Sequence, residues 1–476
     1  MQEMLFLFPL CTGTLAFFLP SRVGRGLLAV TAVGHFVLCL AAVGGLMKSS
    51  LTGYFLLGPS GTLVLLLTAL IFLCVACYAM SYMKATEMDQ QPLFVGCLLL
   101  FLGTMNMVCL ADHPIVLWIA IEATTLASAP LIFLHRSKEA LEATWKYVLI
   151  CSVGIALALL GCFFITLAAD LAEVGGPLSF SRLNEVAPRL DPLWLKAGFI
   201  FIVIGFGTKV GLAPMHTWLP DAHSEAPGPA SALLSGALLN CAFLGIYKMH
   251  TIMYLAGLGD FSGNILVALG LCSIFVAGVF IVRQPDYKRL LAYSSIENMG
   301  VIAFGVGIGG FALYGAMLHL LHHSLLKSSL FLSAGDIHLQ YASKLASSIG
   351  GLARRLPHTF VPFFAGFIGI CGLPPFGLFL SELVIVFAAF HAGKVVVALL
   401  FLAGLLLVVA GAAQVIIEMC FGPEQEFHRE QRSSLWRVIP CSVLLALSLG
   451  LTLWMPWALQ QLIIDAIALL GGRIHG

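Results

Sequence analysis

Charge is scarce in this sequence. Asp, Glu, Lys and Arg make up 10% of its 476 residues, where a soluble domain carries about 25%. Neither sign dominates. The formal net charge is +1, so nothing marks a nucleic-acid or acidic-substrate surface. Long polar linkers are missing as well. The connections 170–193, 335–357 and 421–436 are the longest polar stretches, and none could hold a second folded domain, so 1–476 reads as one domain. There is no Gly-rich phosphate loop after a strand, no Ser/His/Asp arrangement and no cysteine spacing for an iron–sulfur cluster. The 13 cysteines lie within or at the ends of apolar runs. Cys74-Val-Ala-Cys77 is the one CxxC. Without a second pair or a histidine at ligand spacing it reads as packing rather than a metal site. No cofactor and no metal are expected.

What the sequence has is apolar length. Hydrophobic residues make up 60% and the mean hydropathy is +1.01. A spanning helix needs about 20 mainly apolar residues. Candidates fall near 3–19, 26–46, 61–80, 93–111, 114–134, 147–168, 194–213, 229–249, 263–282, 290–309, 312–333, 358–390, 396–418 and 437–456. The fold class is therefore an all-α integral membrane protein with about 14 transmembrane helices. The tail 458–471 is too short and polar to span and is expected at the interface. Even-to-odd connections and the termini hold only Lys48, Arg182, Arg189, Lys196, Lys248, Lys394 and Arg473, while the odd-to-even connections hold most of the remaining Lys and Arg. By the positive-inside rule, the odd-to-even loops are cytoplasmic and both termini lie outside.

A few ionisable residues fall inside the spans: Glu122, Lys209, His319, His322, His323, Lys327 and Glu382, with Glu297 and Glu418 nearer helix ends. A charge at membrane depth costs several kcal/mol, so such residues mark ion pathways. Two of them neighbour helix-breaking stretches: Gly205-Phe-Gly-Thr-Lys209-Val-Gly211-Leu-Ala-Pro214 and Gly372-Leu-Pro374-Pro375-Phe-Gly377-Leu-Phe-Leu-Ser-Glu382. Broken helices at this depth need protein or a water-filled cavity beside them, and paired broken helices point to an ion site. Glu122 is either a structural partner or a gate that controls the proton on a lysine. Lys209 is either a snorkelling lysine or a proton-exchanging one. His319, His323 and Lys327 share one helical face, which suits proton relay; two histidines four apart could also hold a metal, but Lys327 on that face repels a cation. The stretch from Pro214 to Pro227, with His216 and His223, is either a plain loop or an inlet towards Lys209. The residues alone leave those two level.

Four ordered motifs carry a resemblance. They are Lys209-Val-Gly-Leu-Ala-Pro-Met-His216-Thr-Trp-Leu-Pro-Asp-Ala-His223, Asp286-Tyr-Lys288-Arg289-Leu-Leu-Ala-Tyr-Ser-Ser-Ile-Glu297-Asn-Met-Gly300, His319-Leu-Leu-His322-His323-Ser-Leu-Leu-Lys327, and Leu373-Pro-Pro-Phe-Gly-Leu-Phe-Leu-Ser381-Glu382. Together they resemble the antiporter-like subunits of respiratory complex I, Mrp antiporters and membrane-bound hydrogenases, and look most like hydrogenase-4 component F. The resemblance implies two inverted five-helix repeats, about 93–249 and 263–418, with helices 7 and 12 broken. It implies proton translocation along Glu122, Lys209, His319, His323, Lys327 and Glu382, with His216, His223, His322, Asn240 and Glu297 as inlet or accessory groups. It implies a prokaryotic inner-membrane complex in which other membrane subunits and a peripheral redox module are the partners. Any redox chemistry would belong to those partners, since this chain has no catalytic site of its own. A cation/proton antiporter of the Mrp kind and a non-conducting spacer are the alternatives. One departure stands out. The family's bridging lysine of helix eight corresponds to Asn240, which cannot titrate. Ordered water, a histidine of helix eleven, or weak conduction would each account for it.

Overall fold

The computed structural model describes residues 1–51, 53–425 and 434–472; the basic residues Arg429, Arg432 and Arg473 fall outside them. Among the described residues every regular element is a helix. Each of the fourteen expected segments is present, whole or broken. In chain order they are α1 (Met4–Ala16), α2 (Ser21–Val43), α3 (Pro59–Ala85), α4 (Gln91–Leu110), α5 (Pro114–Ile132), α6 (Lys138–Leu171), α7a (Pro192–Val210) and α7b (Trp218–Glu225). There follow α8 (Gly228–Leu255), α9 (Gly259–Ile281), α10 (Tyr287–Ile308), α11 (Ala312–Tyr341), α12a (Pro357–Ile370), α12b (Gly377–His391), α13 (Val395–Phe421) and α14 (Leu435–Leu453). Among the described residues, eleven helices are long and apolar enough to cross a bilayer. The expected interfacial tail forms α15 (Trp457–Ile467), with Ile463 and Ile467 buried and Trp457 exposed.

Some boundaries differ from the sequence expectation for local reasons. α6 starts at Lys138 rather than near 147. Ser137 caps it by accepting from the Ala140 amide at 2.9 Å, so a polar first turn is added to the apolar run. Its 34 residues reach about 51 Å, well beyond the ~30 Å hydrocarbon core. The connection 170–193 contains a short helix, Phe180–Val186, capped by Ser179.

The helices pack through small residues. A Cβ on Gly205 of α7a would strike the Gly154 carbonyl of α6, and one on Gly161 would strike Ile202 and the Gly198 carbonyl. On α9 and α10, Gly263 meets Gly307 and Gly270 meets Gly300 in the same way. Lipid supplies no hydrophobic drive for helix association, so close backbone approach has to supply it. The centre of the bundle is α8, α10 and α11. Every residue of the α8 spanning window is buried, as is nearly all of α11.

The two breaks are alike. α7a ends at Gly211 with φ +80°, and α12a gives way to Gly372 with φ +62°; a cis X–Pro bond follows three residues later in each, at Ala213–Pro214 and Pro374–Pro375. A left-handed glycine is the ordinary way to leave a helix without Cβ strain. α8 has its own irregularity, a π-helical turn at Leu234–Leu238. Such turns gather at functional sites, and this one carries Ser235, whose hydroxyl meets Ser295 of α10 at 2.8 Å.

Candidate proton-translocation site

Among the described residues, most of the buried titratable groups singled out by the sequence fall into two clusters. The first is built on α5, α6 and α7a. Lys209 is fully buried, in the last turn of α7a. Its Nζ donates to Thr125 Oγ1 at 2.8 Å and to the Tyr147 hydroxyl at 2.5 Å, and lies 4.5 Å from the Tyr147 ring centroid. The Tyr147 hydroxyl continues to Ser128 Oγ at 2.6 Å. Glu122 sits one turn before Thr125 on α5, and its Oε1 accepts from Ser152 Oγ of α6 at 2.8 Å. Its Oε2 is buried and unpartnered. Glu122 and Lys209 are therefore not a contact ion pair. Hydroxyls hold the ammonium instead. A hydroxyl both donates and accepts, so Thr125 and Tyr147 can accept from the charged amine or donate to the neutral one. A contact carboxylate would hold the proton in place.

The second cluster is built on α10, α11 and α12b. Lys327, fully buried, donates to the Leu291 carbonyl at 2.7 Å and to Ser294 Oγ. Asn298 lies one turn further along α10. Its Nδ2 donates to the Ser294 carbonyl at 2.6 Å and to the Glu297 carboxylate, so its Oδ1 faces His319 Nε2, 3.0 Å away. That assignment puts a proton on Nε2. On the other ring edge, Nδ1 is 2.9 Å from Ser381 Oγ, whose hydroxyl also reaches the Leu378 carbonyl at 2.7 Å. With the hydroxyl turned to Nδ1 the ring is neutral. With it turned to Leu378, the Ser381 oxygen accepts from Nδ1–H and the ring is cationic. Both protonation states of His319 are satisfied in one geometry. Glu382 follows Ser381, and its carboxylate packs on Gly372, where any Cβ would collide with it.

The remaining candidates separate. Glu297 is not near a helix end. It is 2% exposed at the middle of α10 and belongs to the second cluster. His322 turns away towards α14, with Nδ1 3.0 Å from Ser448 Oγ, and its ring packs on Gly377. His323 is buried with neither ring nitrogen hydrogen-bonded. His216 lies against the rings of Phe280 and Tyr293. His223 stacks on Phe331 of α11, centroids 5.0 Å apart, with both nitrogens unpartnered. It thus neighbours the helix of Lys327, whereas the inlet reading had directed it towards Lys209. Sequence reasoning missed Thr125, Tyr147, Ser294, Asn298 and Ser381. The available signal was spacing for three of them: Thr125 lies three residues from Glu122, Ser294 three from Glu297, and Asn298 four from Ser294.

Asn240 ties α8 to α11. Its Nδ2 donates to Ser324 Oγ at 2.6 Å and to the Gly236 carbonyl at 3.0 Å, while Oδ1 is buried without a partner. Beside it is a cavity of about 10 Å³ lined also by Ser60, Tyr247, Met317 and Leu320, at the threshold for one water. Asn240→Leu fills that space and removes the donor to Ser324. Proton uptake by membrane vesicles should fall by about tenfold or more, with membrane-inserted yield kept. Unchanged uptake would exclude water bridging at this point.

Residues 111–407 match the family described as NADH:quinone oxidoreductase/Mrp antiporter, TM. The chain belongs to that family. A hydrogenase-4 component F homolog of Methylacidiphilum infernorum is 38% identical over 321 residues, 67% of each chain. Hydrogenase-4 component B of Escherichia coli is 30% identical over 379 residues, 76% of this chain and 55% of that protein; the chain spans about half the length of that relative. Among solved structures, a chain of the Mrp complex from Dietzia sp. superposes with TM-score 0.86 at 20% identity, covering 98% of this chain and 97% of that one. The antiporter family thus accounts for the fold. These relatives and the structural neighbour are components of multi-subunit membrane complexes.

Proposed function

We propose that this protein is a proton-translocating membrane subunit of a redox-driven, hydrogenase-4-like or complex I-like assembly. The observation that carries the reading is the way the buried groups are held. Lys209, Lys327 and His319 rest on hydroxyls, a carbonyl and an amide that accommodate gain and loss of a proton. Among the described residues neither lysine has a contact carboxylate, which would hold its proton in place. Glu122, Lys209, His319, Lys327, Glu297 and Glu382 carry the proton, His323 stands between His319 and Lys327 on α11, and Asn240 joins the halves through water. His223 serves as an inlet to the second cluster. The regions 93–249 and 263–418 are two inverted repeats, supported by the matching Gly211 and Gly372 breaks.

Neighbouring subunits cover the flanks. Glu122 and Glu382 are only partly buried, and apolar residues beside them, Ile119, Leu126, Leu380 and Leu383, are exposed. The complex lies in a prokaryotic inner membrane with both termini outside, and a peripheral redox module drives it. Purification in mild detergent tests this. Copurification of a hydrogenase-like or quinone-reducing module supports it; a set of small Mrp-type membrane subunits instead would establish the cation/proton antiporter reading.

Glu122 acts through space, since hydroxyls intervene. Unit charges about 10 Å apart interact by about 1.7 kcal/mol at an effective dielectric near 20. Glu122→Gln should therefore slow proton uptake by about tenfold, while Glu122→Asp keeps most of it. Equal uptake by the two variants in reconstituted liposomes would leave Glu122 a packing residue.

A further inference from the structure

The eight residues of α7b touch both lysine clusters and belong to neither. At one end, Trp218 Nε1 donates to the Thr208 carbonyl at 2.7 Å, next to Lys209. Its ring lies 4.8 Å from that of Tyr147, the phenol that holds the lysine. At the other end, Ser224 Oγ donates to Asp286 Oδ2 at 2.7 Å. Lys288 Nζ donates to the Ser224 and Ala226 carbonyls at 2.8 and 2.7 Å. Asp286 caps α10 by accepting from the Lys288 and Arg289 amides. The next turn of α10 presents the Leu291 carbonyl and Ser294 to Lys327.

Asp221 stands midway. Its Oδ2 is 3.0 Å from Lys146 Nζ on α6, the residue before Tyr147. Its Oδ1 accepts from Arg289 Nη2 at 2.5 Å, two residues before Leu291. One carboxylate so joins the backbone segment of the first lysine's phenol to that of the second lysine's carbonyl. Its place in the chain is telling. Asp221 lies ten residues beyond the left-handed Gly211, and Glu382 lies ten residues beyond the left-handed Gly372. The second break spends that position on a membrane-flank carboxylate. The first spends it on a bridge.

We infer that α7b is the mechanical link that couples the two lysine clusters, and that Asp221 is its positioning residue. The inference rests on the proton-translocation reading above. When Lys209 loses its proton, the Tyr147 hydroxyl changes from acceptor to donor. The ammonium's attraction for the Tyr147 ring, 4.5 Å away, is lost with the charge; the phenol is then free to shift against Trp218, and α7b carries the shift to the first turn of α10. Stability is a poor explanation for Asp221. Lys146 and Arg289 are 44% and 43% exposed against 18% for Asp221, and exposed ion pairs contribute little. Ser224 and Lys288 would still anchor α7b without it. Removing the carboxylate leaves Lys146 with Glu142 alone, at 2.6 Å, parts Arg289 from α7b, and frees the register of that helix over Tyr147.

The test uses the intact complex in liposomes, with proton uptake measured beside membrane-inserted yield. Asp221→Asn should lower uptake by about fivefold at unchanged yield, and Asp221→Glu should recover at least half of the loss. Lys209→Ala is the reference. If Lys209→Ala is inactive while Asp221→Asn takes up protons like the wild type, the coupling role is wrong and the proton path stands. If Asp221→Asn and Asp221→Glu lose uptake only in proportion to lost yield, Asp221 is a folding residue and the inference fails. If Lys209→Ala itself takes up protons normally, the underlying reading fails first.

Discussion

Lys209→Arg should assemble normally and fail to pump. Arginine keeps the positive charge and can still donate to Thr125 and to the Tyr147 hydroxyl, so folding and insertion are spared. It cannot be deprotonated in a protein. A positioned proton-transfer group contributes about 10²–10⁴-fold, and coupled translocation by this variant should fall into that range. Lys209→Ala should behave alike, because the cradle and the surrounding glycines remain. The pair separates charge from proton exchange: a lysine that only balanced charge would be replaced well by arginine and badly by alanine. Proton uptake at matched complex yield is the measurement. Wild-type uptake by Lys209→Arg would remove Lys209 from the proton path.

The titratable residues themselves were legible, because a lysine, glutamate or histidine in an apolar run stands out singly. So were the fourteen segments and the two breaks, since glycine and proline signal a break locally. The partners were not. Thr125, Ser294 and Ser381 look like ordinary helix hydroxyls, which commonly bond to a carbonyl three or four residues back. Only the packing of α5 and α7a against α6, and of α10 and α12b against α11, shows that they also face a lysine or a histidine. The way Glu122 and Lys209 are held apart was hidden for the same reason. Sequence shows opposite charges at similar depth, and the placement of Ser152 and Tyr147 between them is tertiary. Asn298 was hidden by its neighbour. Glu297 drew attention as the charged residue, yet Asn298 makes the bond to His319. His223 was read with the nearer motif residue, Lys209; α7b folds over to α11 and brings it against Phe331.

His319 and His322 of α11 should divide sharply. His319→Leu is expected to stop translocation, with a loss of about 100-fold, because it cuts the one side chain that touches both Asn298 of α10 and Ser381 of α12b. Lys327 would then have no hydrogen-bonded route to the residue preceding Glu382. His319→Gln keeps a donor and an acceptor but cannot carry charge, so it should fail nearly as completely. His322→Gln should pump close to wild type, since that ring bonds Ser448 on α14 and lies outside the second cluster. Packing explains the difference. His319 and Lys327 are eight residues apart and both meet α10, while His322 is rotated off that face onto α14. Proton uptake by the three variants at equal yield decides the matter. If His319→Gln pumps and His322→Gln does not, the path runs along α14, and the Asn298–His319–Ser381 chain is structural.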